Sequence, residues 1–269
     1  MPLTGSLKTL LLRGLLAGVI AGLLAATVGH FVGGPHVDAA IALEEAMAAS
    51  ETAADGHSHG AEAGHSHGDD AAHSHGDDAV VSRTGQKFGQ FLALGLYGLA
   101  LGAIFGAVAH YARRFTSLSG PALGMLLGVS GWAAIAAVPF FKYPANPPAV
   151  GDPDTIDDRT LLWVAVVLLG IAAVGAGLYA FRVLAGQLST VRLIGGVLAF
   201  VAVTTVGYVL LPGVDEVSAD FPPSLLWQFR VSSLAVSATL WAALGLGFAA
   251  LTEFSDRTRT AERERVAAG

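Results

Sequence analysis

The stretch GHSHGAEAGHSHGDDAAHSHGDD, Gly56 to Asp78, holds six of the chain's nine histidines in three H-x-H units spaced eight residues apart. Residues i and i+2 lie on the same side of an extended chain, so the imidazoles within each unit can meet one ion. The pairs are His57 with His59, His65 with His67, and His73 with His75. Asp69 and Asp70 stand between the second and third units, Asp77 and Asp78 follow the third, and all four add carboxylate oxygen to imidazole nitrogen. Imidazole suits zinc, cobalt, nickel and copper, and geometry more than raw affinity separates these ions. The tract therefore reads as an unselective net for divalent transition metals. Its internal position and acidic spacers argue against an expression tag, and an inert low-complexity linker is the alternative.

No cysteine occurs in the 269 residues, so there is no disulfide framework and no thiolate metal site. Any metal must rest on imidazole, carboxylate, carbonyl or the three methionine sulfurs.

The elements that present the tract belong to a membrane protein. The chain is 53% hydrophobic and only 13% charged, with a mean hydropathy of +0.59, too apolar for an ordinary soluble domain. A bilayer core of about 30 Å takes ~20 apolar residues in a helix. Six stretches qualify, near Thr9–Val32, Phe91–Tyr111, Pro121–Phe141, Leu161–Phe181, Val191–Leu211 and Leu226–Leu251. The fold expected is an all-α polytopic membrane bundle of about six helices. A cleavable signal peptide is the alternative for the first, but the run is long and no clear A-x-A site closes it.

Lysine and arginine near the helix ends orient the bundle. With both termini in the cytoplasm, ten basic residues lie inside and five outside, and 17 of the 21 acidic residues fall outside. The His-rich loop then faces out, into an acidic field that concentrates cations.

Four regions follow: residues 1–32 as N-terminus and first helix, 33–88 as outer loop, 89–251 as a five-helix bundle, and 252–269 as a charged cytoplasmic tail. Within the outer loop, PHVDAAIALEEAMAA, Pro35 to Ala49, has helical composition behind a proline suited to a first turn. Asp38 and Glu45 share a face there with Glu44 beside them, either as solvated surface charge or as a carboxylate way-station. The Gly, Ser, Asp, Ala and His composition after Ser50 cannot bury a core and is expected to be disordered without a ligand.

Two helices carry small residues at every fourth position, Gly14, Gly18, Gly22 and Ala26 in the first and Gly98, Gly102 and Gly106 in the second. Such stripes let membrane helices approach closely, which is most of their explanation. Each stripe runs on to a histidine, His30 at the outer end and His110 at the inner end, and His36 follows His30 in HFVGGPH. Ionisable groups within membranes lean towards function, so His30 and His36 join the candidate ligands. No Asp, Glu, Lys or Arg lies in the middle of any span, which weighs against proton-coupled pumping by this chain alone. The hydroxyls of Thr27, Thr204, Thr205, Ser232, Ser233 and Ser237 are expected mainly to bond back to their own helices. Tyr208 is a further polar candidate.

The loops after the third and fifth spans, VPFFKYPANPP and LPGVDEVSADFPP, share a proline at the helix exit and a later Pro-Pro pair, a weak parallel repeat. Asp152, Asp154, Asp157, Asp158, Asp215, Glu216 and Asp220 in these loops are expected to rim an outer vestibule with acid.

Together the Gly-rich first helix leading into PHVDAAIALEEA, the His-rich loop, VPFFKYPANPPAVGD and LPGVDEVSADFPPSLLWQFRVSSLAVSATLWAALG resemble the predicted cobalt transporter subunit family CbtA over most of the chain. That resemblance implies a polytopic component of cobalt uptake, working with CbtB, a small single-span partner with its own histidine cluster. Five spans are common in that family, against the six read here. The resulting expectation is a cytoplasmic-membrane component of Co²⁺ uptake with no prosthetic group. In it the tract collects the ion and passes it through Asp38, Glu44, Glu45, His36 and His30. The alternatives are a permease for Ni²⁺ or Zn²⁺, and an accessory protein that buffers or senses metal. No HExxH, nucleophile motif or nucleotide loop points to an enzyme, and ATP-driven transport would need a separate ATPase subunit.

Overall fold

The computed structural model describes residues 3–55, 82–148, 150–151 and 153–268, and the three H-x-H units lie outside the described residues. Helix α1, Leu7–Val28, starts where the Ser6 hydroxyl accepts the Thr9 N–H at 3.2 Å. It passes through a π turn, Gly29–Gly33, into α2, Gly34–Asp55. Helix α3, Arg83–Ala112, is capped by Ser82, which accepts the Gly85 N–H. Ser119 caps α4, Gly120–Trp132, which runs through a second π turn, Ala133–Ala137, into the short α5, Val138–Lys142. Helices α6, Ile156–Val183, α7, Ser189–Leu210, and α8, Pro223–Ala268, complete the all-α chain.

Six of these stretches are long and apolar enough to cross a membrane: Leu7–Ser50, Arg83–Phe115, Gly120–Lys142, Ile156–Val183, Ser189–Leu210 and Pro223–Thr258. An even number of crossings returns the chain to the side it started from, and the contacts agree. Thr4 Oγ1 donates to Asp256 Oδ1 at 2.9 Å, and Arg113 Nη1 donates to Gly5 O at 2.8 Å, so both termini share one end of the bundle. The opposite end, the loop end, carries the start of α3 and the α5–α6 and α7–α8 connections.

The glycine stripes meet each other. A Cβ on Gly14 would lie 2.1 Å from Gly102 O, and one on Gly18 would lie 2.1 Å from Gly98 O. At these two contacts only hydrogen fits, and the close backbones gain dispersion and Cα–H···O contacts in place of a hydrophobic drive. Helix α8 packs on α1 beside this stripe, with Gly247 against Ala17, and also on α4, where Gly124 and Gly128 face Gly245; its Phe248 meets Phe105 of α3 with ring centroids 5.2 Å apart. Helix α7 buries no residue, yet exposes Val197, Leu198, Val209 and Leu210, a surface suited to lipid and not to water.

Two prolines sit differently from the sequence expectation. Pro35 does not open a separate loop helix, and Pro139 does not end its helix. Each follows a π turn by two residues, and the first residue past that turn, Gly34 or Val138, reaches back five residues to Gly29 O or Ala133 O. Proline lacks an N–H and its ring clashes with the carbonyl four residues back, and the widened turn relieves the clash without ending the helix. The segment from Leu7 to Asp55 is consequently one rod of about 70 Å at 1.5 Å per residue, longer than a bilayer core, and most of α2 stands beyond it.

Candidate functional site

Four elements, α3, the α4–α5 segment, α6 and α8, line an open cavity of about 840 Å³ at the loop end. Its walls are apolar and aromatic, with Tyr97 from α3, Phe140 from α5, Trp163 from α6 and Trp241 from α8. Leu240 and Trp241 lie farthest along α8 from the loops and close the inner end. Trp241 presses on Gly131, where a Cβ would meet its ring at 2.1 Å, so glycine at 131 lets the indole seat there.

Polar groups converge at the mouth. Arg159 Nη1 lies 2.7 Å from Glu216 Oε2, and Thr155 Oγ1 donates to Glu216 Oε1 at 2.5 Å. Glu216 thereby links the α5–α6 connection to the α7–α8 connection. Gly151, with φ +120°, crosses over this pair in a conformation other residues rarely adopt, and a Cβ there would lie 2.5 Å from Arg159 Nη1. From α8, Arg230 donates through Nη2 to Asn146 Oδ1 at 3.0 Å and through Nε to Ala145 O at 3.4 Å. Asp215 also lines the cavity and is exposed.

The acidic rim expected from sequence is thus partly present. Asp215 and Glu216 do line the cavity, but Arg159 and Arg230 accompany them, so the charges of the lining cancel. Asp154, Asp157 and Asp158 are exposed and lie outside the lining. The two Pro-rich loops are joined by more than Glu216. Lys142 Nζ donates to Tyr208 O and Leu211 O at 2.9 and 2.8 Å, satisfying carbonyls at the end of α7. Tyr208 Oη donates to Val138 O at 2.5 Å, and Tyr143 Oη donates to Pro212 O at 2.8 Å. Burial pushes the Tyr143 phenol above its ordinary value and keeps it a donor. Tyr208 is an interhelical strut.

The sequence-derived ligands among the described residues lie in the first π turn and along α2. His30 sits in the π turn, with its ring 4.9 Å from Phe31 and 5.8 Å from Phe91, and its Nδ1 is buried without a hydrogen-bond partner. Gly34 N–H is directed to Gly29 O and Pro35 has no N–H, so neither residue that could close a turn on the His30 carbonyl donates to it. Asp38 is held by Arg83 Nη2 at 2.5 Å and Lys87 Nζ at 3.3 Å, tying α2 to the start of α3. His36 is half-buried, while Glu44 and Glu45 are exposed just over two turns further along α2. Among the described residues no three of His, Asp and Glu gather as a metal site.

The hydroxyls behave largely as expected. Thr27 bonds back to Leu23 O, Ser232 and Ser233 to Phe229 O, and Ser237 to Leu234 O, while the Thr204 hydroxyl is buried without a partner. Sequence reasoning missed the cavity's Tyr97, Asn146, Trp163 and Trp241. It counted Arg159 and Arg230 only as topological charge, although an arginine seven residues into the α8 run PSLLWQFR is itself a signal of a polar environment.

Comparison with known protein families decides the identity. A family model described as "Probable cobalt transporter subunit (CbtA)" matches residues 7–253, from the start of α1 to the inner part of α8. The chain belongs to the CbtA family. None of the curated proteins and none of the solved structures matches it. As a CbtA-family chain with six apolar helices it is an integral membrane protein, and the family description gives cobalt as the ion transported. The family match runs through every helix that lines the cavity.

Proposed function

We propose that this chain is the membrane subunit that admits Co²⁺ to the cell, with its loop end outside the cytoplasmic membrane and both termini in the cytoplasm. The observation that carries the reading is the cavity itself. It is lined by both Pro-rich connections and by α3, α5, α6 and α8, and its lining reaches along α8 as far as Leu240 and Trp241. Alternating access needs a space of this kind, wide at one face and closed within the bundle by packed side chains that can move.

In this reading His57, His59, His65, His67, His73 and His75 raise the supply of ion at the mouth. Glu44, Glu45, His36 and His30 lie along the rod that leads from the tract towards the bilayer. Asp38 supports them by fixing that rod to α3. A transporter subunit works with other components, and a CbtB-like single-span chain is the partner proposed. Imidazole and carboxylate ligands also accept Ni²⁺ and Zn²⁺, so cobalt rests on the family. A metal-buffering or sensing accessory role is the competing reading, favoured by the tract alone.

Purified chain in liposomes tests the proposal. Entry of Co²⁺ faster than into protein-free vesicles supports a path through this chain. Entry only after a second subunit is added supports a shared path, and no entry with or without a partner, an ion gradient or a metal-chelating carboxylate leaves the accessory role.

A further inference from the structure

The cavity does not suit a bare ion. A divalent ion with six waters fills roughly 200 Å³ at about 30 Å³ per water, about a quarter of the cavity's 840 Å³. Its walls offer aromatic faces, and its two guanidinium groups offset the carboxylates of Asp215 and Glu216, so the lining has no net negative charge to draw in a dication. Glu216 could compensate, but both its oxygens are engaged, by Thr155 and Arg159. The cavity's size and lining match small-molecule sites, which are commonly 300–1,000 Å³, mainly apolar, with a few placed polar groups.

Arg230 is the placed group. Two of its nitrogens are fixed by Asn146 and Ala145, which aims the guanidinium without neutralising it, and Nη1 has no hydrogen bond to the described residues. The cavity also holds Asp215, whose negative charge acts on Arg230 although the two form no ion pair among the described residues. An arginine oriented by neutral acceptors and backed by aromatic walls is a receptor for a carboxylate.

We infer that the cavity binds a small organic carboxylate, received either as a free anion or as a metal chelate. A chelate brings the metal's donor atoms with it, so the protein needs only to recognise the outside of the complex. Arg230 binds the carboxylate edge and Trp163, Tyr97 and Trp241 cover the body of the ligand. This deepens the transport reading and rests on the cavity being the entry site.

The test uses the full chain in lipid nanodiscs, titrated with citrate, with cobalt citrate and with cobalt chloride, and followed by calorimetry and by the fluorescence of its four tryptophans, of which Trp163 and Trp241 line the cavity. Saturable binding of citrate alone identifies the free anion, and of cobalt citrate alone the chelate. Arg230→Gln is expected to weaken binding by roughly ten- to a hundredfold, the loss of a charged hydrogen bond, and Arg230→Lys by less. Asp215→Asn is expected to tighten it, since a competing negative charge is removed, and a merely destabilised fold would not give that result. No saturation with either citrate probe, or an Arg230→Gln titration that overlays the unmodified protein's, overturns the inference. Co²⁺ flux into liposomes without citrate and unaffected by it would also remove the inference, while leaving the transport reading intact.

Discussion

Arg159 and Glu216 form an ion pair of 2.7 Å that joins the two Pro-rich connections over the cavity mouth. Glu216 is only 12% exposed, so removing its charge leaves Arg159 facing a partly dehydrated space. Glu216→Gln is expected to cost about 1–3 kcal/mol of stability, read as a lower unfolding temperature in detergent. Gly151→Ala should cost a comparable amount, because its φ of +120° is strained for alanine and its Cβ would strike Arg159. Unfolding temperatures equal to that of the unmodified chain would mean that the latch contributes nothing.

The α1–α3 contact makes a sharper contrast between positions. Gly18→Ala places a Cβ 2.1 Å from Gly98 O and should destabilise by about 1–3 kcal/mol or more, because backbone cannot move aside as a side chain can. Gly95→Ala, on the same helix α3 as Gly98, meets nothing closer than Leu23 Cδ2 at 3.7 Å and should be neutral or stabilising by up to about 1 kcal/mol. Equal effects at both positions would contradict the packing described.

Much of this contact was legible in the sequence, because a four-residue spacing of glycine has one dominant use in a membrane helix. The six helices were legible for a similar reason, since apolar length is a direct demand of the bilayer. The continuous rod through Pro35 was not, because proline ordinarily breaks a helix and the π turn that rescues it has no sequence pattern of its own. The cavity was not legible either. Tyr97, Trp163 and Trp241 are spread over three helices, and only their packing shows that they face one space. Asp38 read as a possible ligand because its partners, Arg83 and Lys87, are 45 and 49 residues away in the chain.

Orientation can be checked directly because the chain has no cysteine. Ser82→Cys and Ser218→Cys at the loop end, and Thr258→Cys at the terminal end, introduce single exposed thiols. A membrane-impermeant maleimide added to intact cells should label the first two and spare the third. The reverse pattern would invert the topology inferred from the basic residues.

The His-rich tract should matter only when metal is scarce. Replacing His57, His59, His65, His67, His73 and His75 by alanine is expected to reduce Co²⁺ uptake at limiting metal and leave it near normal at high metal. Capture by a peptide of residues 56–78 should weaken as pH falls through about 6.5, where ordinary imidazole takes up a proton and loses its lone pair for the ion. Uptake lost at every metal concentration would place the tract in the path itself, and equal affinity at pH 7.5 and 5.5 would assign the binding to carboxylates.

The claim that the cavity is the way in is tested most directly by closing it. Ser237 lines the cavity one turn above Leu240 and Trp241, and Ser237→Cys would be the single thiol of the protein. In liposomes that show Co²⁺ entry, a bulky charged methanethiosulfonate applied from the loop side should form a mixed disulfide with this cysteine, releasing sulfinate, and stop the flux, and a reducing agent that cleaves the disulfide should restore it. The same reagent on Thr258→Cys should leave flux unchanged. Full labelling of Ser237→Cys with undiminished Co²⁺ entry would show that the ion crosses elsewhere.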